Sequence, residues 1–192
     1  MRSGSTKSRN DDVAAELPSL RRYAQALTRD EGAADDLVQD ALLRAFERRS
    51  TFRLGGNIRS WLLSVLHNVF VDGRRRAAAQ RRGEAEAARL ADVALPAGQE
   101  SAVRLAQVKQ AFFSLPEEQR AALHLVAVEG LAYSEAAEAL GIPVGTLMSR
   151  LGRARAALRA FEAETSPDRS GAPAFSKPSF RPKLRVIGGR DG

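Results

Sequence analysis

The 192-residue chain contains no cysteine, which excludes disulfide bonds, thiolate metal sites and a cysteine nucleophile. Its only two histidines, His67 and His124, fall in different predicted domains, so we expect neither a metal site nor a cofactor. We find no nucleophile–base pair and no phosphate-binding glycine loop, and therefore predict no catalytic residues and no small-molecule substrate. No apolar run approaches the roughly 20 residues that span a bilayer, and the N-terminus lacks an apolar signal segment. These absences favour a cytoplasmic protein that is not an enzyme and does not insert into a membrane.

What the chain does have is positive charge together with enough apolar residues to form cores. Hydrophobic residues make up 44% of the sequence, and the formal net charge is +7. A chain of this length and composition suits two small folded domains, and the charge favours a polyanionic partner. An arginine-rich, alanine-rich protein can also be basic for compositional reasons alone, so charge supports nucleic-acid binding without establishing it.

The segment from Tyr133 to Leu158 predicts a helix, a tight turn and a second helix. Ser134 is placed to cap the first helix, Gly141 stands where that helix ends, and Pro143 prepares the next helix start. On the second helix one face is apolar and predicted to pack on a core: Leu147, Leu151, Ala154 and Leu158. Another face is polar and suited to a DNA major groove: Thr146, Ser149, Arg150 and Arg153. The alternative for this segment is an amphipathic hairpin with a solvated arginine face.

Helical periodicity divides the chain into two all-α domains joined by a flexible linker. The first has a helix marked by Leu17, Leu20, Ala24 and Leu27, a second from Ala33 to about Arg48, and a third from Ile58 to about Gly73. The apolar stripe of the second helix comprises Ala34, Leu37, Val38, Ala41, Leu42, Ala45 and Phe46. Four further helices, including the helix-turn-helix, form the second domain. The predicted boundaries are a disordered N-terminus (1–14), domains at 15–78 and 102–163, a linker (79–101) and a disordered basic tail (164–192) with a strand hint at 184–187.

Four segments in order, 34–46, 52–62, 68–76 and 115–120, lead into the helix-turn-helix and together resemble the extracytoplasmic-function (ECF) sigma factors of the sigma-70 family. These consist of a three-to-four-helix σ2 domain and a four-helix σ4 domain. The resemblance implies that the chain binds core RNA polymerase and promoter DNA and directs promoter recognition, DNA melting and transcription initiation. It also implies an anti-sigma partner, and the third helix and its loop are similar to those of stress-response members.

The resemblance also assigns roles to residues. The polymerase-binding face on the second helix comprises Asp36, Gln39, Asp40 and Leu43, although solvation and dipole complementarity also account for its aspartates. Capture of a melted base of the downstream (−10) element falls to Asn68, whose amide can both donate and accept hydrogen bonds. Other residues of that site are Asn57, Trp61, Arg74, Arg75 and Arg76, with Trp61 better explained as a core anchor and Asp72 placed to orient an arginine. The upstream (−35) element is read by Thr146, Met148, Ser149, Arg150, Arg153 and Arg155. Met148 stands where the family is often basic, and Gly152 where it is often bulky.

Two other classes of protein remain compatible with the residues alone. A stand-alone helix-turn-helix regulator would bind duplex DNA tightly without polymerase, its first domain serving for dimerisation or ligand binding. An interaction module that mimics a sigma factor would keep the helical faces without making productive DNA contacts. Charge-neutralising changes at Arg150 and Arg153 would then leave its function intact.

Overall fold

The computed structural model describes residues 12–53, 55–81 and 100–165, and within them every regular element is helical. The first domain has a helical turn at 12–15 followed by α1 (Leu17–Thr28), α2 (Glu31–Glu47), a short 3-10 turn (Arg49–Thr51) and α3 (Ile58–Arg81). The second has α4 (Glu100–Ser114), α5 (Glu117–Leu123), a π-helical turn (His124–Val128), α6 (Tyr133–Ala139) and α7 (Val144–Thr165). The all-α class and the two predicted helical domains are confirmed.

A tight turn sets α2 against α1. α1 has a proline in its first turn and is capped at its C-terminus by Arg29, which adopts a left-handed conformation (φ 63°) and donates its N–H to Gln25 O. Asp30 then caps α2, because its Oδ1 accepts a hydrogen bond from Ala33 N at 2.7 Å. The turn therefore needs only two residues, and the two helices pack closely.

The core of the first domain is built around α3. Leu62, Leu63 and Leu66 are almost fully buried, and α3 packs against both α1 and α2. The predicted stripe of α2 is largely confirmed, but Phe46 was wrongly included, since it is 68% exposed. Phe46 lies in the last turn of α2, where the chain leaves the core. The Arg49 guanidinium lies over its ring, with 4.6 Å between Cζ and the ring centroid, in a cation–π contact.

Two other local predictions were wrong. α3 does not end near Gly73 but continues to Arg81. The arginines and alanines that follow have high helix propensity, which offsets the cost of about 1 kcal/mol for one glycine within the helix. Ser134 does not cap α6, because the helix already begins at Tyr133 and Ser134 lies within its first turn. The cap position is Ala132, whose N–H is bound by the Glu135 carboxylate at 2.9 Å.

The helix-turn-helix follows the predicted pattern at its turn and core. Gly141 ends α6 in a left-handed conformation (φ 63°), and Pro143 directly precedes α7. Leu147, Leu151 and Ala154 are buried, and the fourth predicted core residue of α7, Leu158, is half-buried against the same core. This packing fixes which face of α7 is left for other contacts.

The two domains are packed against each other, α1 on α5 and α3 on α6. The most deeply buried cation of this boundary is Arg120 of α5, which is 2% exposed. Its guanidinium donates to the carbonyls of Ala26 and Leu27 in the last turn of α1 and to Leu115 O. Residues 12–14, predicted to be disordered, are helical, as are residues 79–81 and 100–101 of the predicted linker and residues 164–165 of the predicted tail. The rest of the predicted N-terminal disorder, of the linker and of the basic tail with its strand hint lies outside the described residues.

Candidate nucleic-acid interface

The predicted −35 contacts lie on α7, on the side away from its buried leucines. Met148, Ser149, Arg153 and Arg155 are exposed, and Thr146 is half-buried. The Ser149 hydroxyl donates to Gly145 O at 3.0 Å, and Arg153 Nε donates to Ser149 O at 3.3 Å. Arg155 Nη2 lies 3.5 Å from Tyr133 Oη on the first helix of the motif. Hydroxyl and guanidinium groups are thus gathered on one helix surface, as major-groove contact requires.

Arg150 is the exception among these residues. Its side chain is only 18% exposed and forms an ion pair with Glu118 of α5, with 2.8 Å between Nη2 and Oε2. Its positive charge also reaches across to the first domain, where it helps to lower the pKa of His67. Arg150 is therefore turned partly toward the domain boundary, unlike Arg153 one turn further along α7.

Asn57 and Trp61, predicted for the −10 site, are both engaged in protein contacts. Asn57 caps α3, since its Oδ1 accepts from Ser60 N at 3.2 Å, while its Nδ2 donates to Glu135 of α6 at 2.9 Å. Trp61 is half-buried beside Phe52, with 5.3 Å between ring centroids, and packs on the core. This placement agrees with the core-anchor interpretation of Trp61.

Asn68 is exposed on α3 and leaves its amide available to a ligand. Arg74, Arg75 and Arg76 follow on the same helix and are also exposed. Arg74 lies 3.5 Å from Glu117 of α5, and Arg75 lies 4.0 Å from Asp72, the residue predicted to orient one of these arginines. The amide and the three cations thus occupy one continuous helix, with one of the cations paired to the second domain.

The predicted polymerase-binding residues are all exposed on α2: Asp36, Gln39, Asp40 and Leu43. Leu43 and the neighbouring Phe46 are each about two-thirds exposed, at 66% and 68%. A groove of about 270 Å³ runs between this face and α3 and is lined by Asp40 and Leu43 on one side and Asp72 and Arg76 on the other. The face combines exposed apolar side chains with a charged rim, which is the composition of a protein–protein interface.

A buried polar cluster at the domain boundary was missed by the sequence reasoning. We call it the Glu129 cluster; it comprises Ser19, Arg22, His124 and Glu129. The Glu129 carboxylate is fully buried and accepts hydrogen bonds from the Ser19 hydroxyl, from Arg22 at 3.0 and 3.1 Å, and from His124 Nε2 at 3.1 Å. The only signal in the sequence was a carboxylate directly after the apolar run 125–128 and before Gly130.

The carboxylate and the histidine of the Glu129 cluster are buried and paired with protein groups. Burial opposes ionisation of Glu129, but the hydrogen bonds from His124, Ser19 and Arg22 outweigh it and lower the pKa of the carboxyl to about 2. Burial, reinforced by Arg150, lowers the pKa of His67 to about 4. Tyr23 lies between the two histidines, its ring centroid 6.2 Å from that of His67 and 5.3 Å from that of His124, and its pKa is raised by burial. Residues from both domains thus share one interior.

Two family models match this chain, in the order that its two domains occupy. The model described as the Sigma2 domain of PhyR matches residues 13–67, and the model described as Sigma-70, region 4 matches residues 105–158. The first covers α1, α2 and the start of α3; the second covers most of α4 and the whole helix-turn-helix core.

Named relatives and solved structures agree with these matches. The ECF RNA polymerase sigma factor EcfG of Rhodopseudomonas palustris is 39% identical over 158 residues, covering 81% of this chain and 85% of the relative. The sigma factor SigM of Mycobacterium tuberculosis is 38% identical over 140 residues, covering 72% and 69%. Among solved structures, the sigma factor RpoE of Bartonella quintana in complex with the anti-sigma factor NepR aligns with a TM-score of 0.71 and 31% identity, over 81% of this chain and 97% of that one.

An all-helical fold of two domains, one carrying a helix-turn-helix with an arginine-bearing face, defines a DNA-binding protein of transcription. The order of the two domains and the sequence identity to named relatives identify the family within this class. The chain belongs to the extracytoplasmic-function sigma factors of the sigma-70 family, and it is a sigma factor of RNA polymerase. The stand-alone regulator receives no support from these relatives. Among the described residues, no helix is both long enough and apolar enough to cross a bilayer.

Proposed function

We propose that this chain divides promoter recognition among three of its surfaces. α2 docks on core RNA polymerase through Asp36, Gln39, Asp40 and Leu43; α7 reads the −35 element; and Asn68 captures a melted base of the −10 element. The protein does this in the cytoplasm and has no catalysis of its own, so the polymerase performs the chemistry. The observation that carries this proposal is the exposure of all three surfaces on one scaffold whose two halves match sigma domains.

The −35 proposal rests on the exposed face of α7. Arg153 projects from this face beside Ser149, and a guanidinium can pair bidentately with the O6 and N7 atoms of guanine. Arg150 completes the face once it is released from its ion pair with Glu118. Met148 is 55% exposed and offers an apolar surface that suits contact with a thymine methyl group. A basic residue at the same position would instead bind a phosphate.

The −10 proposal rests on Asn68 and the arginines that follow it. Asn68 is exposed near the middle of α3, and an amide recognises a base edge through one donor and one acceptor. Arg74, Arg75 and Arg76 lie about two turns further on and supply the charge that holds the phosphate backbone. Trp61 and Asn57 shape the start of the same helix rather than contact the base directly.

The test is transcription by purified core RNA polymerase supplemented with this protein, on a library of promoter fragments. We expect promoter-selective transcripts, and we expect Asn68→Ala to reduce them at least tenfold without changing affinity for the polymerase. Gln80→Ala, an exposed amide near the end of the same helix, is the matched control and should be silent. Arg153→Ala should relax preference at one −35 base pair by about 1–3 kcal/mol. Duplex binding without polymerase binding or transcripts would refute the proposal in favour of a stand-alone regulator.

A further inference from the structure

Gly152 lies in the interior of α7, and nothing in the described part of the chain accounts for a glycine at this position. Its backbone is helical and has no positive φ that would require glycine. A Cβ atom at Gly152 would meet no described atom within 4 Å, so close packing does not exclude a side chain either. Glycine is, after proline, the least favourable residue for a helix interior. The space above Gly152 is therefore open to a molecule that approaches α7 from outside.

This position belongs to the face of α7 that is proposed to read the −35 element. Met148 and Ser149 lie one helical turn before Gly152, Arg155 lies one turn after it, and Arg153 is the next residue. All five residues are exposed. Gly152 is thus surrounded on the exposed surface by one apolar side chain, one hydroxyl group and two guanidinium groups.

The neighbouring side chains leave the surface above Gly152 uncovered. A helical side chain leans toward the N-terminus of its helix, so the residues able to cover Gly152 are those one turn after it. Arg155 extends instead toward the first helix of the motif, with 3.5 Å between its Nη2 atom and Tyr133 Oη. Ala156 carries only a methyl group. The result is a shallow depression, the Gly152 notch, whose floor is the α7 backbone at Gly152 and whose apolar wall is Met148, 55% exposed.

The chemistry of the notch selects an apolar group over a hydrogen-bonding one. In the major groove the base edges present donors and acceptors and a single apolar substituent, the C5-methyl group of thymine. Met148 offers a polarizable thioether, and the nearby Ser149 hydroxyl already donates to Gly145 O at 3.0 Å. A methyl group is therefore the base substituent that fits the notch. A Cβ atom at residue 152 would occupy the space that this methyl group needs.

The charges beside the notch agree with this placement of DNA. Arg153 and Arg155 are exposed on α7 next to Gly152, and guanidinium groups in such positions bind the phosphates that line the groove. Phosphate contacts fix the position of a helix on the duplex without selecting a sequence. The notch between these cations then supplies a contact that depends on the base.

We propose that Gly152 is a specificity-determining residue, which forms with Met148 a notch on α7 that receives the C5-methyl group of a thymine in the −35 element. The proposal rests on the function proposed above, in which α7 reads that element. It makes Gly152 a position where stability and recognition are opposed. Alanine favours the helix but fills the notch, so Gly152→Ala is a more stable protein that no longer distinguishes thymine by its methyl group.

The test replaces each thymine of the −35 element by uracil, one at a time and on either strand, in a promoter selected from the library. Uracil lacks only the C5-methyl group. Core RNA polymerase with the full-length protein is assayed for transcripts, using the parent protein, Met148→Ala and Gly152→Ala. Gly73→Ala is the matched control, because Gly73 is also helical and exposed and has no atom within 4 Å of its Cβ position, but it lies on α3. Urea unfolding of each variant separates recognition from folding.

We expect uracil at one thymine to lower transcription by the parent protein about fourfold, which is the contribution of one buried methyl group. Gly73→Ala should keep this effect, whereas Met148→Ala and Gly152→Ala should reduce it to less than about 1.5-fold, with Gly152→Ala at least as stable as the parent protein. A −35-dependent parent protein that tolerates uracil at every position, or a Gly152→Ala variant that keeps the full effect, would overturn the notch alone. Transcription by the parent protein without any −35 dependence would refute the function proposed for α7 and the notch with it.

Discussion

Replacement of Arg120 by methionine tests whether the domain boundary contributes to stability through helix capping. The guanidinium is 2% exposed and binds Ala26 O, Leu27 O and Leu115 O. The first two carbonyls belong to the last turn of α1, where no helical partner exists for them. Methionine fills a similar volume but donates no hydrogen bond, so these carbonyls would be left buried and unsatisfied.

The expected loss follows from the geometry of these bonds. Hydrogen bonds from a charged donor contribute about 1.5–3 kcal/mol each, and the bond to Leu27 O, at 3.4 Å, is too long to count fully. The other two bonds together contribute about 3–6 kcal/mol. Burial lowers the pKa of Arg120 to about 10, and this desolvation offsets part of that gain. We therefore expect Arg120→Met to lower the free energy of unfolding by about 2–3 kcal/mol.

The measurement is urea unfolding of the full-length protein, followed by circular dichroism. Arg104→Met is the control, because Arg104 is exposed on α4 and its replacement should change stability by less than about 0.5 kcal/mol. A loss below about 0.5 kcal/mol for Arg120→Met would show that the end of α1 does not depend on this cation. It would refute the account of the boundary given above.

Three further predictions concern stability and pH. Leu66→Ala should lower the free energy of unfolding in urea by about 2–5 kcal/mol, because Leu66 is fully buried. Leu43→Ala should lower it by less than about 0.5 kcal/mol but weaken polymerase binding, because Leu43 is exposed. Equal losses of stability for the two variants would contradict the assignment of Leu66 to the core and of Leu43 to the surface. Gly152→Ala should raise the free energy of unfolding by about 0.5–1 kcal/mol, since a methyl group at this helical position meets no atom within 4 Å. Gly141→Ala should lower the free energy of unfolding by about 1–2 kcal/mol, because alanine is strained at φ 63°. A Gly152→Ala variant less stable than the parent protein would refute this reasoning. The pKa of His67 is lowered to about 4 in the folded state, so the unfolded state binds more protons below about pH 6.5. Stability should therefore fall between about pH 6.5 and 4, and His67→Gln should remove that part of the slope in unfolding titrations.

Local patterns predicted well those elements whose ends are set by nearby residues. The turn of the helix-turn-helix follows from Gly141 and Pro143, and the buried face of α7 follows from leucines repeating at helical spacing. The prediction failed where neighbouring structure decides the outcome. Phe46 continues the apolar stripe of α2 but lies beyond the core, and Gly73 looked like a helix end although the residues after it sustain the helix.

For the candidate sites too, the sequence predicted features that depend on local periodicity and missed those that depend on distant parts of the chain. Exposure of the proposed polymerase-binding face on α2 and of Asn68 on α3 follows from helical periodicity, because the opposite faces must be buried. The partial burial of Arg150 could not be predicted in this way, since it depends on α5, which presents Glu118, and on the first domain beyond. The spacing of basic residues predicts which face of a helix carries the positive charge. It does not predict which groups that charge contacts in the folded chain.

The sequence by itself determined the all-helical class, the two domains, the helix-turn-helix and the family, because each depends on residues a few positions apart or on the order of motifs. Tertiary structure alone decided that Glu129 is buried against Ser19 and Arg22, more than 100 residues earlier in the chain, and that Tyr23 lies between His67 and His124. Such contacts have no local signature. A carboxylate or histidine in the sequence carries the same chemistry in water or in a core, and only the packing of the two domains determines which environment it has.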